Sequence, residues 1–171
     1  IHAGQLGRDC RYCHYQIEES PEANVPPVQV CWGCHSENKV KVADDAKIQF
    51  VLEAYAADES IEWRRVHELP DYVRNFPHHV HLAAGVSCYS CHGQITGMEV
   101  VWQAESLSMG WCLDCHRNPE EHLVPPDQVT RLIEVQQELA ARAEGGGQWD
   151  AEKLRESLRN DPPQQCGACH H

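Results

Sequence analysis

Large apolar side chains are scarce in this chain: its 171 residues include only 2 Phe and 2 Met, and the mean hydropathy is −0.56. A polypeptide of this composition buries too little apolar surface to offset the conformational entropy lost on folding. Something other than side chains must therefore fill the core. No run of 18 apolar residues occurs, and no secretory leader is visible. Positive charge is also short, with 14 Lys and Arg against 26 Asp and Glu, giving a net charge of −12. That balance excludes nucleic acid as a partner. It serves solubility, or it steers a basic partner towards the protein.

A spare cysteine is missing too. All 10 Cys fall into five Cys-x-x-Cys-His units: Cys10, Cys13 and His14; Cys31, Cys34 and His35; Cys88, Cys91 and His92; Cys112, Cys115 and His116; Cys166, Cys169 and His170. Each unit is the attachment motif of a c-type haem, with two thiols for thioether bonds and an adjacent proximal histidine for the iron. Zinc sites and redox dithiols also use paired cysteines, but neither needs histidine directly after the second. Chance would place histidine after all five pairs with a probability on the order of 10⁻⁶. The sequence thus predicts five covalently bound haem c groups and export from the cytoplasm. With so many porphyrins per residue, the expected fold is mostly α and irregular, with a haem-packed core and few or no strands. The haem-free chain is expected not to fold.

Three segments are expected. Residues 1–117 form a four-haem core, 118–165 a helical hairpin, and 166–171 a C-terminal fifth motif that folds back on the core. A weak internal repeat places His2 before Cys10 and His81 before Cys88, with His78 three residues earlier in the second copy. By that repeat a further histidine belongs just ahead of Ile1. Val42–Ala57 reads as a short helix, with Ile48, Val51, Leu52 and Tyr55 on one face. In the hairpin, Asp127 after Pro125-Pro126 reads as an N-cap. Val129, Leu132, Ile133 and Leu139 form its stripe, and Gly145-Gly146-Gly147 its end. Asp150 caps a second helix carrying Leu154 and Leu158, stopped by Pro162-Pro163. The hairpin either covers a haem face or docks another subunit.

Six-coordinate haems need a second axial ligand. Seven histidines remain beyond the proximal five. The principal distal candidates are His2, His67, His78, His81 and Met98; Met109, His122 and His79 are secondary, and His171 lies too close to a proximal ligand. His78 and His81 stand three apart and can serve two different haems. A methionine ligand would raise the potential of its haem relative to bis-histidine ones. Equally, the methionines pack against porphyrin edges. Arg8, Arg11, Arg64, Arg65, Arg74 and Arg117 either pair with haem propionates or are solvated.

The stretch Trp63-Arg-Arg-Val-His-Glu-Leu-Pro-Asp-Tyr-Val, then Phe76-Pro-His-His-Val-His81, Gly85-Val-Ser-Cys-Tyr-Ser-Cys-His-Gly93 and Met98 through Pro119, resembles the pentahaem cytochrome c subunit of alternative complex III. The likeness covers residues 1–120, is loose over 121–165, and returns at Cys166–His170. It implies a haem wire in a quinol:electron-acceptor oxidoreductase. Its partners would be an iron–sulfur subunit and a monohaem cytochrome c subunit, and its electrons would pass towards a periplasmic acceptor. It also implies mainly bis-histidine haems, with methionine possible at one. Such subunits usually carry an N-terminal membrane helix, which this sequence does not contain, so the expected location is periplasmic and membrane-associated through the complex. No catalytic site is expected within the chain. The alternatives are a catalytic multihaem reductase of nitrite or hydroxylamine type, which needs an open distal face and acid–base groups, and a free soluble multihaem shuttle.

Overall fold

The computed structural model describes residues 1–36, 39, 45–73, 76–158 and 161–170. Among these residues seven short α-helices are separated by turns and irregular segments: α1 (Val28–His35), α2 (Gln49–Ala57), α3 (His78–Ala83), α4 (Cys88–His92), α5 (Met109–Arg117), α6 (Leu132–Ala143) and α7 (Ala151–Glu156). Among the described residues the only sheet-like pairing is an isolated bridge between Val86 and Leu123. The mostly helical and irregular architecture expected from the sequence is what the chain adopts.

Local signals explain where the helices begin. Pro27 holds an extended backbone ahead of α1, as a residue with fixed φ does at a helix start. The hydroxyls of Ser87 and Ser108 accept from the Tyr89 and Trp111 N–H groups at the starts of α4 and α5. Asp150 accepts from the Lys153 N–H at 3.1 Å and caps α7 as expected.

Two expectations need correction. Asp127 does not open a helix: Pro126–Gln128 forms a single 3₁₀ turn, and α6 begins only at Leu132. The delay rotates the stripe, so Ile133 is 49% exposed and Val135 is fully buried in its place. The segment read as one helix over Val42–Ala57 consists of a 3₁₀ turn at Asp45–Ile48 followed by α2. Residues 42–44 of that expectation, with Arg74 and His171, lie outside the described residues.

The side-chain core is small. Tyr89, Val124, Val129, Leu132 and Val135 form its buried cluster, with Cys10, Leu82, Cys88 and Ile95 packed around it. It joins the α6 segment directly to the third Cys-x-x-Cys-His unit, through Tyr89 inside that unit. Glu138 is the polar clamp of the segment. Its carboxylate accepts from the Gln148 and Trp149 N–H groups at 2.8 and 2.9 Å and pairs with Arg142 at 3.2 Å. Arg142 also donates to the carbonyls of Leu123 and Trp149 at 2.9 and 3.2 Å. Apart from this cluster, Trp32 of α1 stacks on Tyr55 of α2 with ring centres 3.9 Å apart.

Candidate functional site

Three of the five motifs are helical. Cys31–His35 closes α1, Cys88–His92 is the whole of α4, and Cys112–His116 lies in α5. On a helix, cysteines three apart share a face and the following histidine lies one turn from the first. The motifs at Cys10 and Cys166 begin instead as 3₁₀ turns, which hold the same short spacing in a tighter coil.

The motifs do not stand in strict chain order. Tyr12 and Cys13 of the first motif interact with Cys34 and Cys31 of the second. Cys10 of the first lies near Cys88 of the third. Cys91 of the third lies near Cys115 and Cys112 of the fourth, and Cys112 lies near Cys169 of the fifth. Numbered along the chain, the spatial order is therefore two, one, three, four, five.

The thiol environments bear on which chemistry they serve. Burial raises the pKa of Cys13, Cys31, Cys112 and Cys115, and pushes Cys91 up to about 12 with help from Cys115 and Cys112. A reactive dithiol or a zinc thiolate needs a lowered pKa; of the thiol shifts only that of Cys10 runs in that direction, caused by Cys88 beside it. No group of three or more His, Cys, Asp or Glu gathers as a metal shell among the described residues.

Several of the histidines stand in pairs. Two imidazoles that shared one metal ion between them, with metal–nitrogen bonds of about 2.0 Å, would have ring centres roughly 6 Å apart. His2 faces His35 with ring centres 5.9 Å apart, and His81 faces His116 at 6.1 Å. Both pairs follow one rule: the histidine preceding one motif meets the proximal histidine of the next. The internal repeat is thus carried into the structure. His78 and His14 hang from one loop, His78 Nδ1 on the Pro21 carbonyl at 2.9 Å and His14 Nδ1 on the Asn24 carbonyl at 2.7 Å. They are close enough for His14 to disfavour a charge on His78. His67 and His92 differ: they hydrogen-bond each other directly, Nε2 to Nδ1 at 3.1 Å with ring centres 4.4 Å apart, closer than a shared metal ion would allow.

Protonation states suit ligation. A carbonyl can only accept, so His14, His78, His81 and His116, each with Nδ1 on a carbonyl, carry the proton there and leave Nε2 free. Burial lowers the pKa of His2, His67, His78 and His81, and that of His92 to about 4, with His67 and His78 adding to the last. Each is held as the neutral imidazole that a metal takes. The Nδ1 of His35 is buried without a partner. The His2–His35 and His81–His116 pairs and the free Nε2 atoms fit haem c.

The remaining candidates lie elsewhere. Met98 lines an open groove with Trp102 and Ala104, and Met109 begins α5 and is 60% exposed. His79 is half-buried with its Nδ1 unpartnered, beside Glu18 and Thr130 in a small cavity. His122 contributes its backbone carbonyl to the Ser87 N–H at 3.2 Å. Of the arginines, Arg11 is already engaged by Asp9 at 2.7 Å and Glu18 at 3.3 Å, and Arg117 lies 3.8 Å from Asp114. Sequence reasoning passed over Tyr72, whose ring is 6.1 Å from that of His170.

Comparison with known proteins agrees with this chemistry. The chain is 25% identical over 143 residues to the protein named menaquinone reductase, multiheme cytochrome c subunit, of Nitratidesulfovibrio vulgaris. The match spans 72% of this chain and 66% of that protein, just under two thirds of the latter's length. Residues 74–171, more than half of the chain, match the family described as cytochrome c7 and related cytochrome c. With its haem-attachment motifs and opposed imidazoles, the chain belongs to that family of multihaem electron-transfer cytochromes c.

Proposed function

We propose that this chain carries five haem c groups and acts as the electron wire of a membrane quinone oxidoreductase of the alternative complex III type. The observation that carries the reading is the unbroken line of motifs, each next to another, with imidazoles opposed along it. In this reading the ten cysteines anchor the porphyrins. His14, His35, His92, His116 and His170 are the proximal ligands, and His78, His2, His67 and His81 oppose the first four in that order. Haem c, when bound, supplies a one-electron iron couple whose potential the axial ligands set.

The protein's own part is to fix distance and orientation. Carbonyls of Pro21, Asn24, Pro77 and Pro163 hold the imidazoles. The α6 segment seals the third motif from water through Tyr89 and Val129. The chain itself has no catalytic role in the proposal; quinol is oxidised by a partner subunit, and electrons leave for an extracytoplasmic acceptor. The resemblance to alternative complex III and the name of the menaquinone reductase relative both support a quinone-linked complex. Among the described residues no helix is long and apolar enough to cross a membrane, so membrane association would run through partner subunits or an anchor elsewhere in the protein.

The test is twofold. Haem quantification should give five per chain. Affinity capture from detergent-solubilised membranes should recover an iron–sulfur subunit and a monohaem cytochrome c with quinol-oxidising activity. Recovery of the chain alone would overturn the complex assignment.

A further inference from the structure

The last turn of α7 sets a charge between two segments that both reach the fourth motif. The Arg155 side chain is 25% exposed. Its Nε lies 3.5 Å from Glu120 Oε1, and its Nη2 donates to Asp161 Oδ1 at 2.9 Å. Glu120 opens the 3₁₀ turn Glu120–His122, four residues beyond His116. Asp161 stands two residues ahead of Pro163, whose carbonyl accepts from His116 Nδ1 at 2.6 Å. The guanidinium therefore ties the chain leading to the fifth motif down beside the end of α5, the helix that carries His116.

Arginine suits this place for two reasons. Its planar fork holds two carboxylates in fixed directions, which a single ammonium does not. A charge so largely covered also needs counter-charges at hand, and here they come from two different stretches of chain. The imidazole bond that results is short. At 2.6 Å it is tighter than the carbonyl bonds of His14, His78 and His81, at 2.7, 2.9 and 3.0 Å. A carbonyl on Nδ1 raises the basicity of the ligating nitrogen, and a more basic axial ligand favours the oxidised iron and lowers its potential.

We propose that Arg155 is a positioning residue for the fourth haem: through Glu120 and Asp161 it seats the Pro163 carbonyl on His116 and so holds down the potential of that iron. This rests on the reading that the fourth motif carries haem with His116 as its proximal ligand. The sign of the effect separates positioning from simple charge. A nearby cation favours the reduced iron, so losing one lowers the potential. Losing the bond at Nδ1 raises it. Two carboxylates already offset the field of this guanidinium, which leaves the hydrogen bond to decide.

The experiment uses the holoprotein. Mass analysis of the peptide containing Cys112 and Cys115 first shows whether haem is attached there; its absence would sink that reading, and this inference with it. With haem present, Arg155→Gln is titrated potentiometrically and followed by electron paramagnetic resonance. One haem of the five should become about tenfold easier to reduce, a rise of about 59 mV for a one-electron couple, while the other four stay in place. A fall, no change, or a shift shared by all five would overturn the proposal. Should Arg155→Gln not retain its haems, Asp161→Asn decides. The Asp161 side chain is 89% exposed, so an exposed pair of this kind adds little to folding. A rise confined to one haem in that variant supports the assignment, and five unchanged potentials overturn it.

Discussion

His81 and His116 face one another across 6.1 Å with their planes inclined by 42°, and each is pinned through Nδ1 to a proline carbonyl, Pro77 at 3.0 Å and Pro163 at 2.6 Å. The pair joins α3 to α5 and brings the chain ahead of the fifth motif against the fourth. If they share one iron, His81→Ala leaves that iron with a single strong ligand. The expected outcome is conversion of one low-spin signal in five to high spin, read by electron paramagnetic resonance of the oxidised holoprotein. His81→Met should instead keep the haem low-spin and raise its potential, because thioether ligation favours the reduced iron. Unchanged spectra in both variants would mean that another residue completes the site.

Leu132 is 6% exposed and lies in the cluster with Tyr89 and Val135. Truncating it opens a cavity beside the third motif. Leu132→Ala should destabilise the holoprotein by about 2–5 kcal/mol, the range for buried leucines, measured by denaturant unfolding. A loss well below 1 kcal/mol would turn the reading of this segment from a packed cover towards a docking surface for another subunit.

Cofactor chemistry was legible in the sequence because it is local: Cys88, Cys91 and His92 act within a single turn of chain. Ligand pairing was not, because it depends on which motifs meet in space. That Cys10 lies against Cys88 brings His14 and His78 to one loop, and no spacing in the chain encodes that contact. The repeat nonetheless foreshadowed the equivalence of His2 and His81. Asp127 misled because Pro125-Pro126 continues into a 3₁₀ turn, so the cap residue precedes a turn rather than a helix. Tyr72 carried no signal at all; a phenol beside an exposed loop reads as surface.

Gly85 links α3 to α4 with φ at +83°, and a β-carbon there would collide with the Val124 carbonyl. The Val124 N–H returns a hydrogen bond to the Gly85 carbonyl at 2.8 Å. Gly85→Ala meets both the left-handed penalty and the collision, so it should cost at least about 1–3 kcal/mol. Thermal unfolding followed by circular dichroism would show it. Because the link between α3 and α4 also sets the spacing of His81 from His92, the Soret spectrum should change with it.

Glu138 is 5% exposed. Burial opposes its ionisation, but the N–H groups of Gln148 and Trp149 and the Arg142 guanidinium outweigh it and hold the carboxyl below its ordinary pKa. A depressed folded-state pKa adds stability that is complete above the unfolded value of about 4.3 and disappears as the pH falls through the folded one. Glu138→Gln should cost about 3–5 kcal/mol at neutral pH by leaving Arg142 without its counter-charge. It should also flatten the acid limb of the stability profile below about pH 4.3. A variant whose profile parallels that of the wild type would show that the clamp is not linked to folding.

The haem-free chain should show no cooperative thermal transition. Its longest helix, Leu132–Ala143, has 12 residues and the shortest, Cys88–His92, has 5, whereas isolated helices below about 12–15 residues are marginal in water. Tertiary packing would have to make up the difference, yet among the described residues the buried cluster consists of Tyr89, Val124, Val129, Leu132 and Val135, with Val28, Val51, Leu107 and Leu123 buried beside it or elsewhere. Phe50, Trp63, Tyr72 and Trp102 are each about half exposed or more. These rings have too little protein surface to pack on, and porphyrin faces are the apolar surface that the sequence leaves unsupplied. Replacing all ten cysteines with serine removes covalent attachment while keeping every histidine. Differential scanning calorimetry of that variant without haem should give a featureless trace, and circular dichroism a gradual loss of helix. A sharp endotherm would mean that the polypeptide builds its own core, and would refute the view of the chain as a wrapper around its cofactors.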